Sequence, residues 1–279
     1  MRPSVLSTNI STFGSQNVPI ALARGVVAVL LVGLAACASA PSDPDARASY
    51  DRANDPAEPT NRVIFAGNQW LDRNALQPVA RAYKNHLPDR VQKSLHNVTR
   101  NLKAPVVLMN DTLQANFGRA WTTTQRFAVN STIGGAGLFD VATDWDLPSH
   151  DADFGQTFGV WGIGPGPTLQ LPLLGPSNVR DAAGIGVGFV ADPLNYLPGS
   201  AIQTIQLAGA GVGAIDQRAE MLSATDELEK TSVDYYAAIR SAYAQRRAAL
   251  VEEGKAGSPS GKVKTDPVMP QPDATPEAP

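Results

Sequence analysis

Residues 88–117 read PDRVQKSLHNVTRNLKAPVVLMNDTLQANF, and their spacing decides the fold. Val91, Leu95, Val98 and Leu102 step by 4, 3 and 4, which puts one apolar stripe on a helix that follows Pro88. Val106, Met109, Leu113 and Phe117 repeat the pattern, with Pro105 placed to open a second helix because proline is tolerated in a first turn. Working outward, residues 61–87 read as two helices divided at Pro78. Tyr236, Ile239, Tyr243 and Leu250 mark a last helix, with Arg240, Arg246 and Arg247 on its other faces. Little of the chain alternates as a strand does. The expected fold class is mainly α.

Three segments depart from an ordinary bundle. Residues 133–139 form a glycine-rich apolar loop containing Gly134, Gly135 and Gly137. Residues 162–167 carry Gly162, Gly164 and Gly166 and run into a leucine- and proline-rich stretch ending near Leu174. Residues 182–191 and 201–215 are almost uncharged, with Gly184/Gly188 and Gly209/Gly213 four apart, a spacing that lets helices approach closely. Such segments suit either a buried helix pair or short helices lying in a membrane interface; residues 182–191 are too few to cross a bilayer.

The ends of the chain speak to location. Arg2 and Arg24 precede an apolar run from Gly25 to Ala36, too short for a spanning helix, and the run ends Leu34-Ala35-Ala36-Cys37. Residues 1–36 therefore read as a secretory leader. Cys37, the single cysteine, reads as a lipobox cysteine that receives diacylglycerol and becomes the first residue of a lipidated N-terminus. Ala38 lacks the aspartate that would suggest retention at the inner membrane, so the outer membrane is expected. Residues 37–54 read as a flexible tether, 55–252 as the folded body, and 253–279 as a disordered proline-rich tail.

Charge and composition exclude several classes. The whole chain carries a formal −3, and removal of residues 1–37 takes away two arginines and no acid, leaving −5, so no nucleic-acid partner is expected. No Gly-x-Ser-x-Gly elbow is present, and the one thiol is expected to be acylated, so no catalytic residue is assigned. His86 and His96 fall on polar helix faces and read as solvated. His150 beside Asp151 and Asp153 reads as a polar loop; no metal or cofactor is expected.

A series of motifs runs in order along the body. Asp55-Pro56-Ala57-Glu58-Pro59-Thr60-Asn61-Arg62 leads to Phe65, Asn68 and Asp72. Residues 110–114 (NDTLQ) and 126–132 (RFAVNST) follow, the latter running into 137–142 (GLFDVA). Then come 153–157 (DFGQT), 161–167 (WGIGPGP), 173–177 (LLGPS) and Arg180-Asp181. Together they resemble the MlaA (VacJ) family of outer-membrane lipoproteins. The resemblance implies a ring of short amphipathic helices in the inner leaflet of the outer membrane, around an amphipathic channel for phospholipid. It implies a trimeric porin and a soluble periplasmic lipid carrier as partners, and a role in keeping phospholipid out of the outer leaflet. Two positions depart from the family pattern: Gly67 stands for a large apolar residue and Thr168 for an aromatic one.

Within that frame the glycine loops are candidate channel borders or gates, or simply tight turns. Asn61, Arg62, Arg126, Asn130, Arg180 and Asp181 are candidate lipid-headgroup contacts or, alternatively, internally paired structural groups, since a charge in an apolar body needs a partner. A structural lipoprotein that scaffolds porins without moving lipid is the rival reading.

Overall fold

A computed structural model describes residues 54–257. The leader, Cys37, the tether up to residue 53 and the tail from 258 onward lie outside the described residues. The body is mainly helical. Its helices are α1 (Glu58–Leu71), α2 (Gln77–His86), α3 (Asp89–Leu113), α4 (Phe117–Thr132), α5 (Val141–Asp144), α6 (Phe154–Val160), α7 (Val179–Ala191), α8 (Ser200–Thr231) and α9 (Tyr235–Ala256). No described helix is long and apolar enough to cross a membrane.

The division expected at Pro78 is a π-helical segment, Asp72–Leu76, that joins α1 to α2 without a break in the helical path. Pro78 falls in the first turn of α2, and Asp72 in the bulge is held by Arg218 of α8 at 2.8 Å. The expectation that Pro105 begins a new helix is corrected, because α3 runs through it for 25 residues. Contacts from α4 straddle the proline: Asn101 Nδ2 donates to Ser131 Oγ on one side, and Thr123 Oγ1 donates to Asp111 on the other. Antiparallel packing against one partner helix outweighs the local break, which costs about 3 kcal/mol in an isolated helix.

A short antiparallel hairpin, β1 (Thr168–Leu171) with β2 (Gly175–Asn178), adds the strand pair that the sequence did not announce. Its outer edge is covered by two asparagines of α1 that lie two helical turns apart. Asn61 Oδ1 accepts from Gln170 N at 2.9 Å, Asn68 Oδ1 accepts from Leu173 N at 2.8 Å, and Asn68 Nδ2 donates to Leu171 O at 2.9 Å. Side-chain amides thus stand in for a third strand.

The paired glycines act as spacing elements between helices. A Cβ on Gly184 would lie 2.3 Å from Gly155 N, and one on Gly209 would lie 2.8 Å from Leu102 Cδ1, so α7 meets α6 and α8 meets α3 at very short range. Gly188 and Gly213 face Phe154 and Thr99 at ordinary contact distance. The helix α9 ends at Ala256, beyond the boundary expected at 252. Gly254 packs where a side chain would strike Val160 and Gln114, so that glycine belongs to the body and not to the tail.

Candidate functional site

The interior is polar. The largest side chains removed from solvent are Arg119, Gln156, Asn110, Thr157, Asp55 and Asp111, while more than half of the buried apolar residues are alanines. One apolar cluster, Ala80, Tyr83, Ala219 and Leu222, ties α2 to α8. Buried polar groups are tolerated only when paired, and here the buried Asp55, Asp111 and Asp181 and the partly exposed Asp140 gather the partners.

Asp111 lies in the last turn of α3, the negative end of the helix dipole, where a carboxylate needs compensation. It receives His150 Nε2 at 2.8 and 2.9 Å and Thr123 Oγ1 at 2.8 Å, and the fully buried Arg119 guanidinium stands 3.6 Å away. Beside it, Thr157 Oγ1 donates to Asn110 Oδ1 at 2.7 Å and Gln114 Nε2 donates to Thr157 Oγ1 at 2.9 Å.

The six charged or amide candidates separate into four places. Arg126 and Asn130 meet on Asp140: Arg126 Nη2 donates at 2.8 and 2.9 Å, and Asn130 Nδ2 at 2.9 Å. Burial alone would raise the Asp140 carboxyl, but hydrogen bonds from Thr143 and Asn130 and the Arg126 charge outweigh it and hold the carboxyl below its usual range. Asn61 joins Asp55 at 2.7 Å, together with Tyr236 and with Arg240 at 2.9 Å. Arg62 sits outside that group, paired with Glu58 at 2.8 Å and with Asp234, and its guanidinium lies 4.6 Å over the Tyr236 ring. The Asp234 carboxyl is held below its usual range by the hydrogen bond from Arg62. Arg180 and Asp181 pair with each other at 2.9 Å, and Asp181 also holds Arg247, Tyr243 and the capping Asn178.

All six therefore have internal partners, which is the structural alternative raised from sequence. Sequence reasoning did not single out Arg119, and its signal was indirect: an acidic residue at the end of α3 calls for a buried cation nearby. It also read His150 as a simple polar loop residue and His96 as solvated. His150 is buried on Asp111, and His96 is half-buried against Asp216 at 2.7 Å.

A small cleft of about 60 Å³ opens between α3, α4 and the loop carrying residues 149–151, lined by Arg100, Lys103, Val107, Arg126, Phe127 and His150 among others. Asn130 and Asp140 also border it, so the 133–142 loop closes one side of the cleft. Two glycines of that loop are conformationally required. A Cβ on Gly134 would lie 2.3 Å from the Phe139 carbonyl oxygen, and Gly137 adopts φ +91° against Asn101. Gly135, at φ +61°, projects into open space. Among the cleft-lining residues none comes from the 162–175 stretch. Gly162 and Gly164 are exposed with open surroundings, and Gly166 turns at φ +67° against Val179.

The exterior has the opposite character. All four tryptophans are more than half exposed (Trp70 68%, Trp121 64%, Trp145 55%, Trp161 54%), alongside Phe117, Phe139, Leu173, Leu174, Phe189 and Leu207. Amphipathic aromatic rings at an apolar surface are the pattern of groups that sit at a membrane–water interface. Of the two departures, Gly67 is exposed on α1, where an added Cβ would meet nothing within 4 Å, and Thr168 opens β1, its N–H donating to Asn54 O at 2.8 Å.

The family model described as MlaA lipoprotein matches residues 53–250, nearly the whole described body. The chain belongs to the MlaA lipoprotein family. An uncharacterized protein of Rickettsia bellii is 39% identical over 202 residues, covering 72% of this chain and 78% of that protein. The intermembrane phospholipid transport system lipoprotein MlaA of Escherichia coli (strain K12) is 32% identical over 239 residues, 84% of this chain and 89% of its own. A chain solved in work on the structural basis for maintenance of bacterial outer membrane lipid asymmetry superposes with a TM-score of 0.62 at 31% identity, covering 71% of this chain and 98% of the solved one. The mainly helical MlaA fold expected from the sequence motifs is therefore the fold observed.

Proposed function

We propose that this MlaA-family chain is an outer-membrane lipoprotein, anchored through an acylated Cys37, that removes stray phospholipid from the outer leaflet. The lipid passes through an amphipathic route in the helical body to a soluble periplasmic carrier for return to the inner membrane, with a trimeric porin beside it. The observation that carries this reading is the inverted polarity, with polar side chains the largest in the fully buried interior and all four tryptophans and four phenylalanines outside. A protein in water would gain by burying those rings; one seated in lipid gains by exposing them. The names of the Escherichia coli and Shigella flexneri relatives, intermembrane phospholipid transport system lipoproteins, point the same way.

The cleft bordered by Arg100, Lys103 and Arg126 is the proposed headgroup route. Lys103 has no ion-pair partner among the described residues, and Arg100 stands 3.8 Å from Asp151, so both cations remain available to a phosphate. Val107 and Phe127 supply the apolar side for an acyl chain. The test is outer-leaflet phospholipid in cells lacking the protein, read with a probe confined to that leaflet. We expect a rise that wild type reverses and Cys37→Ala does not. An unchanged level, with porin stability lost instead, would identify a scaffold.

A further inference from the structure

We propose that His96, Asp216 and Glu220 bind a divalent transition-metal ion of the zinc class, which fastens the long helix α8 to α3. Asp216 and Glu220 are four apart on α8 and so share one face, and that face looks onto His96 of α3. His96 Nδ1 lies 2.7 Å from Asp216 Oδ2 and 3.3 Å from Glu220 Oε1, and the three ligand atoms fall within 4.8 Å of one another. Zinc bound tetrahedrally at about 2.0–2.2 Å holds its ligand atoms roughly 3.3–3.5 Å apart. The His96–Glu220 separation already meets that spacing, and the His96–Asp216 pair need open by only about 0.6 Å.

The charge pattern supplies an independent reason. The other buried aspartates each face a guanidinium: Asp55 with Arg240, Asp111 with Arg119, Asp181 with Arg180 and Arg247. Asp216 is also buried, yet no lysine or arginine of the described residues is in ion-pair contact with it or with Glu220. Lys84 and Lys93 line the same cavity without pairing to either carboxylate. Two carboxylates and one imidazole, otherwise short of positive charge, match a dication. The imidazole selects a zinc-class ion over magnesium or calcium.

Tyr83 donates to Asp216 Oδ1 at 3.0 Å and leaves Oδ2 turned toward His96, the outer-shell support that orients a ligating carboxylate. The adjoining cavity, about 330 Å³, has room for water in the remaining coordination position. Binding requires a lone pair on Nδ1, so the ligating form is the tautomer with its proton on Nε2.

The test uses full-length protein in detergent, without a histidine tag, stripped by chelator and titrated calorimetrically with Zn²⁺ alone. We expect one equivalent to bind saturably, with a higher melting temperature. Glu220→Gln, at an exposed position that leaves packing intact, and His96→Ala should each weaken binding by at least about tenfold, the scale of even an outer-shell loss. His86→Ala, outside the cluster, should leave it unchanged. Absence of saturable binding to wild type, or equal affinity in wild type, Glu220→Gln and His96→Ala, would overturn the proposal. All of these readouts are independent of lipid transport.

Discussion

Two glycines of α7 offer a matched experiment on how the body is packed. A Cβ on Gly184 would sit 2.3 Å from Gly155 N, 2.7 Å from Gly155 Cα and 3.0 Å from Phe154 C, whereas one on Gly186 meets nothing within 4 Å. Every clashing atom is backbone, so no side chain can swing away. Ordinary contact between such atoms is about 3.5–4.0 Å, so Gly184→Ala must push α6 and α7 apart by roughly 1.2 Å. That shift also stretches the Arg247 grip, which now spans Asp153 at 2.6 and 2.9 Å and Asp181 at 3.1 Å. Replacing glycine by alanine in a helix gains about 1 kcal/mol at either position, so the gain cancels in the difference between the two variants. What remains is the overpacking cost, about 1–3 kcal/mol. Gly186→Ala should therefore be at least as stable as wild type and Gly184→Ala about 1–3 kcal/mol less stable than Gly186→Ala, a gap read by urea unfolding of detergent-purified protein. Stabilities within about 0.5 kcal/mol of each other, less than the lower bound of the overpacking cost, would refute the claim that the glycine contact sets the helix separation.

Other perturbations probe the polar interior and the loops. Arg119→Met leaves Asp111 buried beside His150 and Thr123 without its guanidinium; removing one partner of a buried pair costs about 3–5 kcal/mol, and urea denaturation should show a loss of that order. The Asp140 carboxyl sits below its ordinary range, so its contribution is full above that range and is lost as pH falls through the folded value. Asp140→Asn should be less stable than wild type at neutral pH, with the gap narrowing below about pH 4 in unfolding curves; a constant gap would remove the carboxylate from the explanation. Gly135→Val forces a β-branched residue into left-handed backbone beside the cleft, while Gly164→Val enters open space. At normal protein level we expect only Gly135→Val to raise outer-leaflet phospholipid; no change would sink the idea that the 133–142 loop gates the route.

The helices were legible because an apolar stripe reads the same whether it meets protein or membrane. The through-running of α3 past Pro105 was not, since it depends on α4 contacts at Asn101 and Asp111 that have no local signature. The hairpin was hidden for a related reason. Its outer edge is completed by Asn61 and Asn68, and only the folded chain shows that those amides substitute for a strand. Asp140, Asp153 and Asn178 carry their meaning as helix N-caps: each side chain accepts a backbone N–H three residues on, at Thr143, Gln156 and Asp181. The lipid-headgroup candidates were readable as residues but not as roles. Arg126 and Asn130 share Asp140 at the cleft, while Arg62 and Arg180 serve other aspartates far along the chain or beside it in sequence.

The cleft is the feature on which the proposed lipid route rests. A photoreactive amino acid placed at Phe127, and separately at the fully exposed Val233, would be activated in growing cells and the adducts identified by mass spectrometry. Phospholipid joined to position 127 and absent from 233 is the expected outcome, since only the former borders the proposed headgroup route. Equal lipid labelling at both positions, or none at 127, would contradict passage of phospholipid through this body.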